Sequence, residues 1–170
     1  QNGRVSKKVD RNYLEILSLD DLIESKNPSD EFLVQLINPA NFKLNKFFYK
    51  NIGKKHRWVD RLVWTEKHWI DYVSDKNVKT YVLKNEKDLA GYFELISHPE
   101  KKEVEIAYLG LLEEYQNKKL GSCLLSVAIK NSFLFNPKRV LVHTCTLDHK
   151  NAQKNYISNV SYTNLRAHET

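Results

Sequence analysis

The sequence contains no methionine, two cysteines, four prolines and five glycines among its 170 residues. So little glycine and proline excludes collagen-like, low-complexity and linker-dominated chains. Cys123 and Cys145 are too few and too far apart to staple a small secreted scaffold, and they predict reduced thiols. No apolar run approaches the roughly 18 residues of a membrane span, so no membrane partner is expected. The start carries no secretory-signal pattern, and the expected compartment is the cytoplasm. Arginine is also scarce, at 6 against 21 lysines, and 16 asparagines accompany them. The cations outnumber the acids 27 to 21, a net charge of +6. Arginine's planar fork is the usual choice for reading bases and phosphates, so this lysine excess fits a coding bias better than a nucleic-acid footprint. No nucleic-acid partner is expected.

What is present is a core. Hydrophobic residues make up 41% and aromatics 11%, which excludes wholesale disorder. The length suits one domain and is short for two. Residues 1–11 are polar and basic and read as a tail, leaving 12–170 as a single domain.

Along the chain, 13–17 alternates as a strand and 32–37 is a short apolar strand. Asn38-Pro39 then opens a helical pattern through Phe42, Phe47 and Tyr49 that breaks at Gly53. Thr65 is placed to cap a second helix whose apolar face holds Trp69, Ile70, Tyr72 and Val73. From Val78 the period changes to two. Segments 78–83, 88–97 and 103–112 read as an antiparallel meander with polar turns. The longest helical pattern follows over 118–135, with Leu120, Leu124, Val127, Ala128 and Leu134 on one face. A strand at 139–146, a helix at 150–158 capped by Asp148, and a last strand at 160–166 complete the order. The fold class is a mixed α/β domain with a parallel strand pair across the long helix.

The chemistry gathers where the third meander strand runs into that helix, over 105–122. Gln116, Asn117, Lys118, Lys119, Leu120, Gly121 and Ser122 occupy the turn and the first helical residues. N–H groups at a helix start point outward, and the dipole favours an anion there. Lys118 and Lys119 add positive charge, and Gly121 removes a Cβ where a phosphate chain could approach. By themselves these features also describe an ordinary capped helix.

The stretch resembles the acetyl-CoA signature of the GNAT N-acetyltransferase superfamily, Q/R-x-x-G-x-G/A. Gln116 takes its first position and Gly121 its last, while Lys119 stands where the first glycine is usual. Further segments are similar to a bacterial subgroup of that family. They are the HTCTLDH run at 143–149 with Asn151-Ala152 and Tyr156, the LNKFFY run at 44–49, Trp58-x-Asp60-Arg61-x-x-Trp64, and Gly91-Tyr92-Phe93-Glu94. The likeness covers 13–156; beyond it, Val160-Ser161 stand where the family has Gly-Phe.

The resemblance implies the GNAT fold, a mixed antiparallel and parallel sheet with splayed central strands flanked by helices. It implies acetyl-CoA as co-substrate and no metal. Coenzyme A would lie in the splay against the main chain of Leu109 and Leu111, with the pyrophosphate at 116–122 and Asn151 on the pantetheine. The Leu109 N–H would hold the oxyanion. Glu105, eleven residues before Gln116, matches the family's catalytic glutamate and would deprotonate the acceptor amine; otherwise it is a strand glutamate on a solvated face, or one pairing with a lysine. Glu94 is the second candidate base. Tyr156 would protonate the departing thiolate or simply pack in its helix. Trp58, Asp60, Arg61 and Trp64 would roof the acceptor, with Asp60 for an amine and Arg61 for a carboxylate or phosphate, unless those two bridge each other. Trp69 reads as core. His143, Cys145 and His149 lack the second ligand pair of a zinc site. The expected partner is a small-molecule or peptide amine, and the assembly a monomer or homodimer. The contrasting readings are a non-catalytic acyl-CoA sensor, to which Lys119 and Val160-Ser161 point, and a basic nucleic-acid binder.

Overall fold

The computed structural model describes residues 8–143 and 161–168. Among them, seven strands form one sheet: β1 (Lys8–Ile16), β2 (Phe32–Leu36), β3 (Val78–Asn85), β4 (Asp88–His98), β5 (Glu103–Leu111), β6 (Arg139–His143) and β7 (Ser161–His168). Their order across the sheet is β2-β3-β4-β5-β6-β1-β7. Three helices accompany them, α1 (Phe42–His56), α2 (Glu66–Ser74) and α3 (Lys118–Phe133). None is long and apolar enough to cross a membrane.

The expected meander is present: β3, β4 and β5 pair antiparallel in turn. The expected parallel pair is present as well, joining Glu103–Ile106 of β5 to Arg139–Val142 of β6 across α3. β1 lies between β6 and β7, antiparallel to both. It begins at Lys8, so the sheet extends into the stretch read as a tail. Main-chain pairing with β7 holds these residues, and it asks nothing of side-chain polarity.

Local chemistry explains the helix bounds. The Asn41 side chain accepts the Lys43 N–H at 3.1 Å and starts α1. The helix does not break at Gly53 but runs through it to His56. Gly53 is there for packing: a Cβ on it would sit 2.8 Å from the Cβ of Trp58. The break comes at Arg57, whose φ of 57° is left-handed and turns the chain back over the helix. Gly53→Ala therefore sets a gain in helix propensity against overpacking, and the expected net loss is about 1–2 kcal/mol in urea denaturation.

Thr65 caps α2 as expected, its hydroxyl accepting the His68 N–H at 3.1 Å. Trp69 and Val73 are buried, whereas Ile70 points outward and is 40% exposed. In α3, Leu120, Leu124 and Ala128 are buried as the period requires. Leu134 is 79% exposed, because the helix ends at Phe133 before the apolar stripe returns to the sheet.

Two apolar layers result. One lies between the sheet and α3 and contains Phe93, Leu95, Val104, Ile106, Leu109, Leu111, Leu120 and Leu124. The other lies under α1 and α2 and is largely aromatic, with Phe48, Tyr49, Trp58, Trp69 and Tyr92.

Candidate active site

β4 and β5 carry a bulge at the centre of the sheet. Glu94 faces Tyr108 and Leu95 faces Ile106, which leaves Ala107 as the extra residue on β5. A bulge re-aims a strand, and this one changes its parity. Val104 and Ile106 face α3 before it, and Leu109 and Leu111 face α3 after it. On the opposite face Tyr108 meets Trp58 at 4.7 Å and Tyr49 at 5.4 Å between ring centroids. Among the described residues the β5–β6 pairing runs to Ile106 and Val142, and Leu109 and Leu111 lie further along β5.

Glu105 sits just before the bulge, with its side chain 20% exposed. Its Oε1 is 3.2 Å from His98 Nε2 on β4. The hydrogen bond to Glu105 raises the His98 pKa above its ordinary value, partly against the effect of burial. Among the described residues, the partner of this strand glutamate is therefore a histidine rather than a lysine.

Glu94 is 0% exposed and holds four hydrogen bonds. Oε1 accepts Arg61 Nη1 at 2.9 Å and the Tyr72 hydroxyl at 2.5 Å. Oε2 accepts Asn45 Nδ2 at 2.8 Å and the same Arg61 nitrogen at 3.3 Å. The Asn45 amide also reaches the Thr80 hydroxyl at 2.7 Å. The Arg61 guanidinium lies over five rings: Tyr108 at 4.2 Å, Tyr72 at 4.3 Å, Trp64 at 4.6 Å, Trp69 at 5.6 Å and Tyr49 at 5.7 Å. Burial disfavours that charge, but the Glu94 carboxylate beside it carries the pKa above the ordinary arginine range. Burial likewise pushes the Tyr72 and Tyr108 hydroxyls up.

Two segments distant in sequence, Trp58–Trp64 and Gly91–Glu94, thus converge on one clasp. Arg61 pairs with Glu94 and not with Asp60, and among the described residues it forms no other ion pair. Trp58 is 6% exposed and packs on Gly53 and Tyr108. Trp64 is half-buried and stacks on His68 at 4.0 Å. Asp60 is exposed. Glu94, with its lone pairs occupied and no solvent access, is suited to hold the loop rather than to receive a proton.

At the start of α3, Asn117 accepts the Leu120 N–H at 2.9 Å. The Leu120 side chain belongs to the core. Ser122 is buried, and its hydroxyl donates to the Lys119 carbonyl at 3.1 Å. Gln116 and Lys119 are exposed, and Gln116 Nε2 lies 3.5 Å from the Leu111 carbonyl. A Cβ on Gly121 would meet nothing closer than a Leu111 methyl at 3.9 Å, so the fold itself does not require glycine there. The helix-start N–H groups of Lys118 and Lys119 and this open glycine face fit a phosphate chain.

Asn151, Tyr156, Cys145 and His149 lie outside the described residues. Sequence reasoning missed Asn45, Tyr72, Tyr108 and His98. Asn45, inside the LNKFFY run, gave the clearest signal: a polar residue on the buried face of an amphipathic helix.

Residues 39–157 match the profile of the Acetyltransferase (GNAT) family. Among solved structures, a GCN5-related N-acetyltransferase from Kribbella flavida is similar at a TM-score of 0.61 and 12% identity, over 93% of this chain and 58% of that one. A functionally unknown conserved protein from Staphylococcus epidermidis gives 0.60 and 15%, over 94% and 60%. An aminoglycoside acetyltransferase from an uncultured soil metagenomic sample, in complex with sisomicin, gives 0.58 and 10%, over 72% and 81%. The chain spans about three fifths of the length of the first two. At these identities the likeness is one of fold. No curated protein sequence matches the chain.

Proposed function

The chain belongs to the acetyltransferase (GNAT) family, and from that premise we propose that it is an acetyl-CoA-dependent N-acetyltransferase acting on a primary amine by direct transfer in a ternary complex. One observation carries the reading: β5 passes its bulge and runs on into an α3 start whose glycine face is open. Acetyl-CoA supplies the activated thioester. The main-chain N–H groups at Lys118 and Lys119 and the charge of Lys119 hold the pyrophosphate, with Gly121 leaving room. The main chain of Leu109 and Leu111 aligns the pantetheine, and the Leu109 N–H takes the oxyanion role expected from the family. An acceptor amine arrives as ammonium; Glu105 takes its proton, and His98 stands 3.2 Å away to pass it on. Asn151 and Tyr156 keep the roles expected from the family, a pantetheine contact and proton donor to the thiolate.

Thiol release from acetyl-CoA across an amine panel tests the enzyme reading, with Tyr156→Phe as the first variant. The expected result is amine-dependent release by the parent and a drop of about 10²-fold in Tyr156→Phe. If no amine raises release above background while acetyl-CoA still binds, the chain is the non-catalytic acyl-CoA binder instead.

A further inference from the structure

A groove of about 650 Å³ opens beside the Arg61 clasp, lined by Lys50, Gly53, Lys54, Arg57, Trp58, Val59 and Leu62. Its size suits a small ligand or a short peptide. Three of the lining residues are cations and none is an acid. α1 itself carries no acidic residue, so nothing on the helix neutralises Lys50 and Lys54. Among the described residues, neither these lysines nor Arg57 takes part in an ion pair, whereas the neighbouring Lys55 is held by Glu113 at 2.6 Å. The rest of the groove is apolar, and Val59 and Leu62 remain 60% and 56% exposed.

Trp58 joins the groove to the reaction centre. It lines the groove, yet its ring also packs on Tyr108, the residue before Leu109. Its indole N–H is buried and lacks an acceptor among the described residues, although buried donors ordinarily have a partner. Asp60 lies next to Val59 but outside the lining. The Arg61 N–H that follows it donates to the Tyr49 hydroxyl at 3.0 Å, and the Tyr49 ring meets Tyr108 at 5.4 Å, which sets Asp60 beside this aromatic pair. The buried carboxylate on this side, Glu94, is already neutralised by Arg61. With three cations and no acid in its lining, the groove repels a polycation.

We propose that the acceptor is an amphipathic anion bearing one primary amine, an amino acid or short acidic peptide with an apolar side chain. This rests on the acetyltransferase reading above. The carboxylates sit at Lys50, Lys54 and Arg57, the apolar group lies on Trp58, Val59 and Leu62, and the ammonium turns past Asp60 and Tyr108 toward Glu105, on the same strand as Tyr108.

The test compares four acceptors: free phenylalanine, a tripeptide of one phenylalanine and two aspartates, its neutral amidated counterpart, and spermidine. The expected order places phenylalanine or the acidic tripeptide first in kcat/KM, and which of the two leads separates a small acceptor from a peptide. The double variant Lys54→Glu, Arg57→Glu should lower kcat/KM for the acidic acceptor by about tenfold or more, the worth of charge-assisted hydrogen bonds. Lys87→Glu, at the exposed β3–β4 turn, should leave it unchanged. A preference for spermidine or the neutral peptide, or no effect of the double variant, overturns the inference. If the parent acetylates nothing, the acetyltransferase reading fails on its own, and the groove is judged by binding. N-acetylated tripeptide should then quench tryptophan fluorescence saturably, and about tenfold more weakly in the double variant. Unsaturable quenching, or equal quenching in both proteins, also overturns it.

Discussion

Replacing Arg61 with methionine lowers the free energy of unfolding by about 3–5 kcal/mol in a urea titration, a large share of the roughly 5–15 kcal/mol that holds a domain of this size. The size of the effect follows from what stays behind. Glu94 has no exposed surface, so its carboxylate keeps only the Tyr72 hydroxyl and the Asn45 amide when the guanidinium is gone. An uncompensated charge in a water-free site is among the few single changes that cost this much. Methionine also forfeits the cation–π contacts with the five surrounding rings, although its thioether refills part of the space. Replacing both partners, Arg61→Met with Glu94→Leu, should recover more than half of the loss, because a buried pair and a well-packed apolar pair differ little. The coupling between the two sites then has the opposite sign to either single change. A loss under about 1 kcal/mol in Arg61→Met would mean that the clasp is open in solution.

The clasp also shows where the sequence was informative and where it was not. The meander, the long helix and the parallel pair across it were legible because each rests on a local period. The cap residue Thr65 was legible for the same reason, since capping is a matter of a few consecutive residues. Gly53 misled because a glycine in a helical pattern has two explanations, a stop or a close approach. Only the position of Trp58, five residues on, decides between them. The partner of Arg61 was not legible at all. Asp60 is its chain neighbour and Glu94 is 33 residues away, and local sequence carries no sign of which strand will lie beneath a loop. The Glu105–His98 contact is hidden similarly, because the residues lie on different strands and meet diagonally across a register that the bulge at Ala107 shifts. The turn-to-helix junction at the α3 start was readable in outline. The sequence could not say that the Ser122 hydroxyl turns back onto its own helix.

Glu105→Gln is expected to lower kcat by about 10²–10³-fold while leaving the KM for acetyl-CoA within about a factor of two. Glutamine keeps the shape of the side chain and a hydrogen-bond acceptor for His98, so the fold loses little; the missing function is proton acceptance. The pH profile separates this role from a positional one. His98 is held above its ordinary value of 6.5 by Glu105. At low pH the imidazolium pairs with the carboxylate and competes with the acceptor for it. As the pH rises through the raised His98 value the pair dissolves and the carboxylate is released to the amine, so kcat/KM climbs along that limb. His98→Gln should abolish the limb and leave only the titration of the acceptor amine. The stability consequence has the opposite direction. A histidine whose pKa is raised on folding contributes its full stabilisation below the unfolded value and loses it as the pH rises through the folded one. The stability gap between the parent and His98→Gln should therefore narrow from mildly acidic to alkaline pH, over the same range in which activity grows. A parent profile that keeps its acidic limb in His98→Gln would separate His98 from the proton path. An unchanged kcat in Glu105→Gln would remove Glu105 as the base.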